Sequence, residues 1–61
     1  MNDAEFEEAV QRFSKRPDLQ LLISASETML RPDLSEPKTE LLTGLLKILN
    51  AALARRKARG E

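Results

Sequence analysis

The sequence predicts an all-α fold: a small three-helix antiparallel bundle, with two short helices and one long C-terminal helix, that associates into an oligomer. Three observations predict it. Apolar residues recur at spacings of three and four along most of the chain, which marks one face of a helix. Prolines stand at positions 17, 32 and 37, where those patterns break. One stretch, Leu19, Leu21, Ile23 and Ala25, also alternates as a strand would, but no second strand is available to pair with it.

The first helix is expected from Asn2 to Ser14. Phe6, Ala9, Val10 and Phe13 fall at i, i+3, i+4 and i+7. Asn2 or Asp3 can cap it. Glu5, Glu7 and Glu8 crowd its first turns and Lys15 and Arg16 follow its last, so both ends complement the helix dipole. Pro17 then disfavours helical dihedrals at Arg16 and suits the first position of a new helix. Leu19, Leu22, Ile23, Ser26, Met29 and Leu30 form the stripe of that second helix, which Pro32 ends. Residues 31–37 hold two prolines, Asp33 and Ser35, and read as a turn. Ser35 is the expected N-cap of the third helix, with Glu36 and Pro37 in its first turn.

The tetrapeptide Arg-Pro-Asp-Leu occurs twice, at 16–19 and 31–34. It reads as punctuation between helices. In each copy Pro stops one helix, Pro and Asp favour the start of the next segment, and Leu is the first residue to turn inward. The flanks do not match, and true repeat arrays have longer periods.

The third helix, Pro37 to about Ala58, carries Leu41, Leu42, Leu45, Leu46, Ile48, Leu49, Ala52 and Leu53 on one side. They cover an arc of roughly 160° at ~100° per residue. A helix facing one neighbour needs a stripe of only about 100°. The surplus points to self-association by a two-fold axis through Leu42, Leu46, Leu49 and Leu53, with Glu36 and Glu40 of one chain approaching Arg55 and Arg56 of the other. Gly44 lies on the opposite side, near Lys47, Ala51 and Ala54. It either permits close approach of another backbone or is a tolerated weakness of about 1 kcal/mol. Within the chain, Phe6, Phe13, Leu22, Ile23, Leu45 and Leu49 are expected to be buried together.

Composition narrows the function. Residues 1–61 make a single helical domain, and a chain this short buries only about 60% of the surface its unfolded form exposes. There is no Cys and no His, which removes disulfides, thiolate chemistry, the commonest metal ligand and the usual proton-transfer group. Ser14, Ser24, Ser26 and Ser35 therefore lack a His base, and two glycines cannot build a phosphate loop. The pairs Glu5/Glu8 and Glu36/Glu40 read as solvated helix faces. We expect no enzyme, no metal and no cofactor. Acids and bases balance at ten each, and Phe6 and Phe13 are the only aromatics, so base-stacking platforms are lacking. No apolar run reaches the ~20 residues that span a bilayer, and the acidic start is not a secretory leader. The expectation is a soluble cytoplasmic protein.

The basic end, residues 55–61, is the sharper feature. Arg55, Arg56, Lys57 and Arg59 suit a helix C-terminus, and they also offer a docking surface for an anionic partner. They lie beyond the Leu stripe and are expected to be dispensable for folding. Ala4 to Val10, AEFEEAV, resembles the opening of acyl-CoA-binding proteins over those seven residues. The chain is shorter than that family and lacks its Tyr- and Lys-rich later helices, so no function is carried over. The expected function is non-catalytic protein–protein interaction, as a small regulator, adaptor or accessory subunit whose partner is a second copy or another protein. The alternative is a nucleic-acid-associated regulator using the basic end.

Overall fold

The computed structural model describes residues 2–60. It is all-helical: α1 runs Asp3–Ser14, α2 Leu19–Met29 and α3 Glu36–Ala58, and no strand occurs among the described residues.

The caps follow the local sequence, with one displacement. Asn2 sits in extended backbone and its Oδ1 accepts from the Glu5 backbone N–H at 2.8 Å, closing the start of α1. Pro17 does not open α2. Pro17 and Asp18 form a turn, and helical geometry begins at Leu19. The Asp18 carboxylate makes no cap because Arg16 holds it, with Nε at 2.9 Å and Nη2 at 3.1 Å. The Asp18 carbonyl still accepts from the Leu22 N–H at 2.9 Å. At the other end, Leu30 has already left the helix, with ψ at 109°. Arg31 precedes Pro32, which biases it away from helical dihedrals. Ser35 is the N-cap residue of α3, but its side chain makes no capping bond. Its carbonyl instead accepts from both the N–H and the hydroxyl of Thr39, each at 3.0 Å.

The two short helices pack on α3 and scarcely on each other. Val10 of α1, Leu19 and Ile23 of α2, and Ile48, Leu49 and Ala52 of α3 form the buried core. Of the six residues expected inside, Ile23 and Leu49 are buried. Phe6, Phe13, Leu22 and Leu45 are half-buried against the core. The reason is shape. Two helices flank one long one, so the group is flat, with principal extents of 38 × 25 × 14 Å. Its radius of gyration is 12.2 Å, where about 10.5 Å is usual for a compact chain of this length. A flat group has fewer positions enclosed on every side.

The two Arg-Pro-Asp-Leu copies share the role of breaking helices but not the role of feeding the core. Leu19 is fully buried, at 0% exposure, while Leu34 is half-buried.

Candidate interaction surface

Two places on α3 bear on function: an open groove along its N-terminal half and the basic end of its last turn.

The groove, about 390 Å³, is lined by Phe6 of α1 and by Glu40, Leu41, Gly44, Leu45, Lys47 and Ile48 of α3. Helical phase puts Leu41, Leu45 and Ile48 on the same side of α3 as the core residues Leu49 and Ala52. Leu41 nevertheless stays 75% exposed. The cause lies in α1. Phe6 is its first large apolar residue, and Asn2, Asp3, Ala4 and Glu5 before it offer nothing of that size to cover Leu41. Gly44 forms part of the groove wall, and a Cβ built on it would meet no atom within 4 Å. Nothing inside the chain needs a glycine there. Glu40 and Lys47 stand on the rim, and neither takes part in an ion pair among the described residues.

The margin of α3 expected at an interface is largely occupied. Leu49 is 1% exposed and belongs to its own chain's core. Leu46 and Leu53 are half-buried against that core, and Leu42 is half-buried. The uncovered leucine is on the other margin, at Leu41. Other large apolar side chains at the surface are Leu21, Met29 and Leu30 of α2 and its end. Met29 and Leu30 were read as part of the buried stripe, but they sit where α2 stops.

The basic end is not a detached tail. Arg56 donates from Nε to the Ser14 carbonyl at 3.0 Å and from Nη2 to the Arg16 carbonyl. Arg59 donates from Nη2 to the Ser14 carbonyl at 3.4 Å and from Nη1 to the Ser14 hydroxyl at 3.5 Å. Arg55 pairs with Glu7. These contacts have a cause in the sequence. Helices often close their C-termini with a left-handed glycine, but Lys15, Arg16 and Pro17 follow α1, and no glycine is available. The Arg12 and Phe13 carbonyls are met by the Lys15 and Arg16 backbone N–H groups, and the Ser14 carbonyl takes its donors from α3. With Phe6 against the Leu41–Ile48 stretch and Ser14 against Arg56 and Arg59, α1 and α3 run the same way. Their two negative dipole ends lie together, and the arginines sit between them. The expectation that these residues are dispensable for folding is corrected on this ground. The proposed meeting of Arg55 and Arg56 with Glu36 and Glu40 of another chain would have to break these internal bonds. Lys57 is exposed and takes no part in the clasp.

The Ser14 hydroxyl is buried and donates to the Gln11 carbonyl at 2.8 Å. The Asp18 carboxyl is held below the ordinary range by its hydrogen bond to Arg16, but the pair is a solvent-facing turn clamp. No helix among the described residues is long and apolar enough to cross a membrane.

No protein-family model, no curated protein and no solved structure matches the chain.

The groove escaped the sequence reading, although its apolar residues were placed on the helix faces and a signal existed. The 23 residues of α3 outrun the 12 of α1 and the 11 of α2, so one stretch of α3 had to lack a partner. Treating the apolar arc as uniform along its length hid that.

Proposed function

We propose that this chain is a non-catalytic protein–protein interaction module, a small regulator, adaptor or accessory subunit that self-associates through α3. One observation carries the reading. The chain exposes 4645 Å², where a compact monomer of its 6.9 kDa would expose about 4,000 Å². The surplus of roughly 650 Å² approaches the ~800 Å² that each partner gives to a standard interface. On α3 the large apolar residue left exposed is Leu41, at 75%. Helices adjacent in sequence run antiparallel in this reading, with α1 and α3 parallel and α3 the central helix.

Sedimentation equilibrium at micromolar concentration tests it. The expected mass is twice 6.9 kDa, falling to 6.9 kDa on dilution. A mass of 6.9 kDa across the whole range, up to hundreds of micromolar, would end this reading. A nucleic-acid partner would have to compete with α1 for Arg55, Arg56 and Arg59, and for that reason the protein-partner reading is preferred.

A further inference from the structure

We infer that the second copy docks α3 against α3 in antiparallel register, with the two-fold axis passing between Thr43 and Gly44. This rests on the self-association proposed above and adds its register and contacts. Three observations on one stretch of helix meet in it.

The first is charge. Glu40 and Lys47 stand on the same rim of the groove, two turns apart, with opposite signs. A two-fold axis that relates antiparallel helices maps residue i of one copy opposite residue 87 − i of the other when it passes between 43 and 44. Glu40 then faces Lys47 of the second copy, and Lys47 faces its Glu40. The rim is its own complement, which an isologous interface requires. Parallel pairing would set Glu40 beside Glu40 and Lys47 beside Lys47.

The second is Gly44. Inside the chain its missing side chain serves no contact. In the antiparallel pair it lies next to the axis, where the two backbones come nearest. Packed helices usually keep their axes ~8–10 Å apart, and small residues at the crossing set the lower end. The third is the uncovered leucine. Leu41 and Leu45, with the edge of Ile48, are the apolar lining of the same groove, and the second helix would cover Leu41 from the side that α1 leaves open.

Charge exchange tests the register. Dimer dissociation constants are measured by sedimentation for the full chain, for Glu40→Lys, for Lys47→Glu and for the double exchange, with helix content checked by circular dichroism. Each single exchange turns both salt bridges into like-charge contacts and should weaken association about tenfold at low salt. The double exchange restores both pairs and should return the constant to within about threefold of the original. Mixing the two single variants should also restore association, as a mixed dimer, because the two positive rim positions of one chain then face the two negative ones of the other. Single exchanges without effect, or a double exchange weaker than both, would overturn this register. Leu41→Glu separates the two proposals. If it abolishes dimers while the charge exchanges do nothing, the chain self-associates through this groove in another register. If the unaltered chain is a monomer throughout, the self-association and the register fail together.

Discussion

The two halves of α3 both carry an apolar stripe and have opposite circumstances. From Ile48 onward the helix is enclosed. Ile48, Leu49 and Ala52 are buried, and Arg55, Arg56 and Arg59 reach across to α1. From Glu36 to Leu45 no residue reaches full burial, and Leu41 faces solvent. An apolar stripe therefore states only that a helix can bury a face. Burial at each turn depends on what stands opposite, and here the opposing helices are half the length of α3. One half is enclosed within the chain, and the other leaves an apolar margin open.

Leu49→Ala should break the enclosed half most severely. It removes a fully buried side chain from the centre of a small core, with an expected loss of about 2–5 kcal/mol in denaturant unfolding. That is a large part of what a domain this size possesses. A loss below about 1 kcal/mol would mean that α3 is not held as described. Arg56→Gln comes next. It withdraws charged donors from the Ser14 and Arg16 carbonyls, and should destabilise by roughly 1.5–3 kcal/mol. Arg56→Lys should recover only part of this, since an ammonium does not reproduce the planar fork.

In the open half the effects should be smaller and of different kind. Gly44→Ala, measured at a dilution where the chain is monomeric, should raise stability by up to about 1 kcal/mol, because the new Cβ meets no atom and the helix gains propensity. The same change should weaken association. Leu41→Ala should alter monomer stability by less than about 0.5 kcal/mol, as for a surface site. A large destabilisation at Leu41 would erase the contrast between the halves.

The smallest expected effect is on pH dependence, at the turn that leads into α2. Arg16 hydrogen-bonds the Asp18 carboxylate and lowers its pKa in the folded chain. A depressed folded value means that this contribution is fully present above the ordinary Asp range. It fades as pH falls through the lowered value and the carboxyl protonates. Asp18→Asn should slightly flatten the acid side of a stability–pH profile and leave the neutral region nearly unchanged. The carboxylate is exposed enough that solvent screens most of the effect.

Much of the fold was legible because it is written locally. Asn2 as a cap, the breaks at Pro17 and Pro32, and the spacing of Phe6, Val10 and Leu19 are each settled within a turn or two. What was not legible depends on residues far apart in the chain. That Leu49 turns inward while Leu41 does not follows from where α1 stops being apolar. That Arg56 is structural follows from the lack of a glycine after Ser14, some forty residues away. The two-residue delay at α2 was hidden for a related reason. Asp18 is a good cap by type, but Arg16 takes its carboxylate first.

The arginine clasp also imposes an order of events. During synthesis α1 emerges first, and the residues that close its end are 40 to 45 positions later. Until they arrive, the Ser14 and Arg16 carbonyls lack their arginine donors, and Phe6, Val10 and Phe13 lack the helix they pack on. A helix of 12 residues is marginal by itself. Of these helices α1 is made before the one that secures it, and a nascent chain halted before Arg55 carries an unclosed, sticky α1. Completion of the fold waits on the final turn of α3.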